Sequence, residues 1–278
     1  MGMMARLLRT RSGLIGACLL LVMALAALAA PVLFPGDPLA IAGPAFLPPL
    51  ADTAFPLGTD SLGRDVLAGL FHGARASLAV GLAAALAALL VGLVVGTVAG
   101  FAGGWVDEVL MRITDAFQVI PRFLLALAFV SVLGGSMTTV VIAIALSSWT
   151  EPARLVRAEV LSIRERDYAA AARVIGMHPA EIAFREILPI ALPPVLALSA
   201  IIVAAAIMIE SALSFLGFGD PNIVTWGSMM AEGRNVLRSA PFLSVVPGIA
   251  LLVTVLAVYL VSEGVNTALN NNQAVPRG

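Results

Sequence analysis

Long uncharged runs recur along this chain with polar segments between them, and the run lengths are the first constraint on its structure. Residues 12–36 carry no charge after Arg6, Arg9 and Arg11. A hydrocarbon layer needs about 20 residues of helix to cross it, and a cleaved leader has an apolar core of only about 7 to 15. The run is therefore predicted to be a retained first helix, although Ala27-Leu-Ala29 imitates a cleavage site. Residues 35–71 are rich in Pro, Gly and Asp and read as a connection outside the membrane. A second uncharged run covers 76–105, with Gly92, Gly96 and Gly100 at four-residue spacing, a small-residue ridge that lets helices approach closely.

Asp107, Glu108, Arg112 and Asp115 follow. Glu108 to Arg112 is an i,i+4 pair and Arg112 to Asp115 an i,i+3 pair, which suits a solvated helical entry. Between 116 and 150 the only charge is Arg122, and Gly134-Gly135-Ser136 divides the run into two short helices. Its 35 residues are too many for one straight span and barely enough for two. Residues 187–209 are uncharged, contain Pro193 and Pro194 and end at Glu210. Residues 239–262 form the last run, with a bend expected at Pro247. The pattern predicts an all-α polytopic membrane protein with six transmembrane helices.

Composition agrees: 60% of the residues are hydrophobic, 12% are charged and the mean hydropathy is +1.01, whereas soluble domains are about half apolar. A net charge of -1 without a basic stripe excludes a nucleic-acid-binding role. The single cysteine, Cys18, allows no intrachain disulfide and reads as a small hydrophobe. All 16 basic residues are arginine. Without lysine the chain has no P-loop lysine and no lysine nucleophile or base, so it cannot be its own P-loop ATPase. With the N-terminus in the cytoplasm, 12 arginines fall inside, against Arg64, Arg75, Arg234 and Arg238 outside, as the positive-inside rule requires.

The segment from 151 to 186 holds six arginines and six acids. At about 2.5 to 3.5 kcal/mol per central Arg or Asp, it is expected to lie in water, on the cytoplasmic side. Tyr168, Ala172 and Ile175 fall at i, i+4 and i+7, a narrow apolar stripe on a short helix. Gly176 is a natural left-handed stop and Pro179 a natural first residue of a second short helix. Pro189 marks re-entry into the membrane. The stripe either docks on a partner or folds back on its own chain; both readings stand at this level.

Ala170-Ala171-Ala172, then Gly176, then Leu188-Pro189 after an 11-residue gap resemble the EAA loop of binding-protein-dependent ABC importer permeases. Ala170 occupies the position where that family usually has Glu, and Glu186 stands where an apolar residue or His is common. Phe55-Pro-Leu-Gly-Thr-Asp-Ser-Leu-Gly-Arg-Asp65, Gly73-Ala-Arg-Ala-Ser-Leu78, Gly103-Gly-Trp-Val-Asp107, Ser214-Phe-Leu-Gly-Phe-Gly219 and Thr225-Trp-Gly227 are similar to the dipeptide, oligopeptide and nickel branch, in its shorter second permease. The C-terminal Ser262-Glu-Gly-Val-Asn266 departs from the more acidic ending of that branch.

The resemblance implies a type I ABC importer transmembrane domain of MetI-like fold that performs no covalent chemistry. It places coupling to the ATPase on Tyr168, Ala170, Ala171, Ala172, Ile175, Gly176, Leu188 and Pro189. The implied partners are a homologous permease, two ATP-binding subunits that carry ATP and Mg, an extracytoplasmic binding protein and the lipid bilayer of the bacterial inner membrane. The expected layout is a cytoplasmic segment 1–12, a first helix 13–34, an outer connection 35–74, a permease core 75–265 containing the coupling loop 154–189, and a cytoplasmic tail 266–278.

Glu210 is the one acid well inside an apolar run, and intramembrane acids are functional candidates because their burial is costly. It is either satisfied structurally by Ser211 and Ser214 or lines a translocation path with them. A proton-driven secondary transporter with Glu210 as carrier is the rival reading. His72 and His178 stand far apart with no ligand cluster, so no metal site is expected. Asp60, Arg64 and Asp65 read as a loop that braces the outer mouth or docks the binding protein.

Overall fold

The computed structural model describes residues 10–166, 171–172 and 174–270. Among them regular structure is helical, apart from one isolated bridge between Thr59 and Asp65. Four helices are long and apolar enough to cross a membrane: α1 (Arg11–Leu33), α2 (Val66–Ala102), the continuous run Pro179–Phe215, and α10 (Phe242–Asn270).

α2 starts ten residues before the expected second span. Its Asp65 N-cap accepts a hydrogen bond from the Leu67 amide at 2.8 Å, which satisfies one of the amides a helix start leaves open. At 37 residues it is about 55 Å long, so its last turns project beyond a hydrocarbon layer of about 30 Å. α1 lies against α10 through residues without bulk. A Cβ on Gly16 would stand 2.8 Å from the Ala257 carbonyl oxygen, and one on Gly264 would stand 2.6 Å from Gly13 Cα.

The run from 116 to 150 differs from expectation. α3 (Gly104–Val119) and α4 (Arg122–Leu133) meet at 88°. Pro121 causes the break by forcing Ile120 into an extended conformation. The Gly134–Ser136 break is where the sequence places it, and α5 (Met137–Ser148) follows. α4 and α5 have 12 residues each, about 18 Å, so neither is a span alone. α5 instead continues through Trp149 into α6 (Thr150–Arg164). Pro152 explains the interruption, because it cannot donate to the Ser148 carbonyl. Of the six transmembrane helices expected, four stand as long apolar helices, the bent α3–α4 pair makes a fifth if taken as one span, and α5 is a shorter apolar helix that runs on into α6.

α5 and α6 together follow α2 along its length. Val140, Ala143 and Ile144 share a core with Val80, Ala84 and Ala88, and further along Pro152 and Ala153 face Gly92. The charged segment therefore does not begin as a free loop in water at 151. Its first helix is packed on the C-terminal part of α2, at Gly92, Gly96 and Gly100.

After α6 the chain reaches α7 (Pro179–Glu181) and a π-helical turn, Ile182–Ile187. The π turn gives way to α8 (Leu188–Phe215), whose second residue, Pro189, has no amide to continue an α-helical ladder. α9 (Trp226–Arg234) is a short helix between α8 and α10.

Candidate functional site

Three parts of the molecule carry the residues singled out by sequence. The first is the tip after α6. Gly176 has φ +81°, the Met177 amide bonds the Ala172 carbonyl at 3.2 Å, and together they close the helix in a Schellman turn. His178 then caps α7, its Nδ1 accepting from the Ala180 amide at 3.3 Å. This local structure is the one the glycine and proline positions predict.

The expected stripe does not face one way. Ala172 is buried in a cluster with Val156, Val160 and Ile163 of α6 and with Ile182 and Ile187. Ile175 is 76% exposed and Val174 is 87% exposed. The fold-back reading therefore holds for Ala172, while the outward apolar pair is Val174 and Ile175. Ala171, Gly176 and Pro189 are exposed and Leu188 is half-buried. Tyr168 and Ala170 lie outside the described residues.

The second part is a joint around Glu210. Glu210 is 1% exposed. Its carboxylate accepts from Ser214 Oγ at 2.7 Å and Ser211 Oγ at 3.2 Å, and the Ser77 and Thr225 hydroxyls also interact with it. Thr225 and Ser228 form a reciprocal capping box at the start of α9. Trp226 follows, buried, with its amide on Ser77 Oγ at 3.2 Å and its indole Nε1 on the Leu70 carbonyl at 3.1 Å. Gly227 leaves no room for a side chain against Ser211 and Ser214. The Thr225-Trp-Gly227 motif and Glu210 thus form one contact that locks α9 onto α2 and α8. Glu210, Ser211 and Ser214 are buried in it, and Glu210 and Ser214 line a small pocket with Met137, Asp220 and Thr225.

Nearby, the Asp60 carboxylate accepts from the Leu62 and Arg64 amides at 2.8 Å each, folding the loop before α2. Arg64 then reaches Glu232 of α9 at 3.2 Å, so this loop is braced on α9. Burial and the Asp60 carboxylate push the Glu232 carboxyl above its ordinary range, against the pull of Arg64. A cavity of about 270 Å³ opens beside Asp60, Arg64, Asp220 and Glu232. No group of three or more metal-ligating side chains occurs among the described residues.

The third part was not anticipated. Arg157 of α6 holds Asp107 of α3 bidentately, with Nη2 to Oδ2 at 2.6 Å. Arg154 pairs with Asp115, and Glu151 with Arg122. Arg164 Nη1 donates to the Gly100 and Phe101 carbonyls at 2.9 and 3.3 Å, where the end of α2 attracts a cation. Asp115 therefore pairs across to α6 rather than with Arg112, which stays on Glu108 at 2.8 Å. The cross-helix partners are 29 to 50 residues apart, so no local spacing signals them.

Comparison with known proteins follows from this geometry. Residues 92–274 match the model of the family described as binding-protein-dependent transport system inner membrane component. The probable peptide ABC transporter permease protein y4tQ of Sinorhizobium fredii is 44% identical over 252 residues, covering 90% of this chain and 86% of that protein. The dipeptide transport system permease protein DppC of Haemophilus influenzae is 33% identical over 268 residues, covering 94% and 91%. The glutathione transport system permease protein GsiD of Pectobacterium atrosepticum is 35% identical over 215 residues, covering 77% and 71%. Among solved structures, a chain of the inward-facing MetNI methionine ABC transporter superposes with a TM-score of 0.58 over 75% of this chain and 97% of its own, at 19% identity. That likeness speaks to the fold.

Proposed function

Because the chain belongs to the binding-protein-dependent transport system inner membrane component family and is an ABC importer permease of MetI-like fold, we propose that it carries peptides or related small solutes inward across the bacterial cytoplasmic membrane. It performs no catalysis itself. ATP and Mg are bound by two separate ATPase subunits, a second, homologous permease completes the membrane unit, and an extracytoplasmic binding protein delivers the solute. The named relatives handle peptides, dipeptides and glutathione, which supports a peptide-like cargo.

The observation that carries the mechanism is the tip. Val174 and Ile175 project at a tight Gly176 turn whose base, Ala172, is packed on α6. Exposed apolar side chains on a rigid base suit insertion into a groove of another protein. In this reading ATP-driven closure of the ATPases draws the tips of the two permeases together, and the bundle moves between inward- and outward-facing states, a two-state element biased by a ligand bound elsewhere. Twelve arginines against four support cytoplasmic termini and a cytoplasmic tip, with the layout 1–12, 13–34, 35–74, 75–265 and 266–278 given above. Tyr168 and Ala170 complete the docking surface in this proposal.

The enclosed Glu210 has no cationic partner among the described residues, and the proton-driven alternative gains no support from the relatives. Replacing Gly176 by Trp tests the reading. No atom lies within 4 Å of a Cβ at Gly176, and the strain of a side chain at its φ of +81° is local to an exposed turn and costs about 1 to 2 kcal/mol, so the variant is expected to insert and assemble, yet to hydrolyse ATP without uptake. Normal uptake by Gly176→Trp would refute the coupling role.

A further inference from the structure

We infer that three ion pairs onto α6, Asp107–Arg157 and Asp115–Arg154 from α3 and Arg122–Glu151 from the first residue of α4, are positioning contacts that carry displacement of the tip into the membrane bundle. The inference rests on the coupling role proposed above. The tip moves with α6, because Ala172, Ile182 and Ile187 are packed into the same cluster as Val156, Val160 and Ile163. α6 in turn is held on two sides. On one, Pro152, Ala153, Val156 and Val160 close onto the Gly92, Gly96 and Gly100 ridge of α2, a contact of backbone on backbone that tolerates little sliding. On the other, α3 and the start of α4 meet it through the three ion pairs, with Gln118 Nε2 donating to Thr150 Oγ1 at 3.4 Å and the Phe117 ring edge-on to Trp149 just before α6.

The register shows what the long side chains do. Eight residues of α3 separate Asp107 from Asp115, about 12 Å, while three residues of α6 separate Arg157 from Arg154, about 4.5 Å. The two separations differ by about 7.5 Å, and the arginine arms span the difference. Asp107, only 15% exposed in its side chain, anchors the contact with two parallel bonds. Beyond Pro121 the same chain turns through 88° into α4. The α4–α5 hairpin then reaches the outer end, where the Met137 amide donates to Asp220 at 3.2 Å and Gly135 lies against Gly219. α3 is thus a strut held along its length on the helix that bears the tip and continued through α4 and α5 to the outer loop beside Glu210's joint.

The test uses the whole complex, this chain with its partner subunits, in liposomes. Uptake of dialanine, trialanine or glutathione, whichever the wild type imports, is measured together with ATP hydrolysis. Asp107→Arg or Arg157→Asp is expected to raise the ATP hydrolysed per solute imported by about fivefold or more. The double reversal, which restores an opposite-charge pair, is expected to return within about twofold of the wild type. Removing the Glu108–Arg112 pair, which is exposed and joins two residues of α3 to each other, leaves the ratio unchanged.

Asp107→Asn keeps the shape and is expected to raise the ratio in the same direction, so it carries the test should the reversals fail to assemble. An unchanged ratio in the assembled Asp107→Asn complex overturns the strut, as does a double reversal no better than the single ones. Gly176→Trp run alongside separates the two ideas. If it uncouples while the Asp107 variants do not, only the strut falls; if it too leaves the ratio unchanged, the coupling role itself falls.

Discussion

Replacing Gly92 by alanine measures how closely α6 is seated on α2. An added Cβ would stand 2.6 Å from Cγ and 2.8 Å from Cβ of Pro152, and 2.9 Å from the Ala153 amide nitrogen. Carbon atoms pack best at about 3.5 to 4.0 Å, so relief requires the helices to part by about 1 Å. Neither the proline ring nor the backbone can swing aside. Overpacking of this kind costs about 1 to 3 kcal/mol, and the stiffness of the site points to the upper half of that range. Alanine recovers about 1 kcal/mol through its better helix propensity. The net expectation is a loss of about 1 to 2 kcal/mol, which lowers the melting temperature of a chain this size by at least about 2 °C. Intrinsic tryptophan fluorescence of the detergent-solubilised protein reports it. Gly248→Ala is the internal reference, since its nearest neighbour, Met230 Sδ, is 3.7 Å away, and it should melt at or above the wild-type temperature. A Gly92→Ala protein as stable as Gly248→Ala would show that α6 does not rest on the ridge.

Two further outcomes are expected. Glu210→Gln can still accept from Ser214 through its amide oxygen while its amide nitrogen donates to Ser211 Oγ and should keep stability and uptake close to wild type, whereas Glu210→Leu strands those hydroxyls and should cost about 1 to 3 kcal/mol; a Gln variant that imports nothing would place Glu210 on the transport path. The Glu232 carboxyl is raised by burial and by Asp60, so its folded value lies above the unfolded one. Its contribution to stability is then present at pH below the ordinary Glu range, about 4.3, and is lost as pH rises through the raised value. The melting temperature of the wild type should fall relative to Glu232→Gln over that rise, and parallel curves for the two proteins would contradict the assignment.

What the sequence decided alone follows from properties that belong to single segments. The cost of moving charge into hydrocarbon marks the apolar runs, and the backbone freedom of glycine and proline marks the stops at Gly134–Ser136, Gly176 and Pro179; each of these stands in the structure. The ordered motifs also sufficed to indicate the family. Segment properties were insufficient where length was marginal: α4 and α5 are helical as expected, but whether they cross alone depended on Pro121 and Pro152, which join them to α3 and α6 at their breaks.

Tertiary structure alone decided who meets whom. The glycine ridge announced a close neighbour without saying that it would be the charged helix α6. Asp115 had a plausible partner three residues away in Arg112 and took one 39 residues away in Arg154. Ala172 and Ile175 share a sequence stripe, yet one is packed on α6 and the other exposed. Local periodicity sets which side of a helix is apolar. Which surface covers that side is a choice among distant segments, made by the packing of the whole chain.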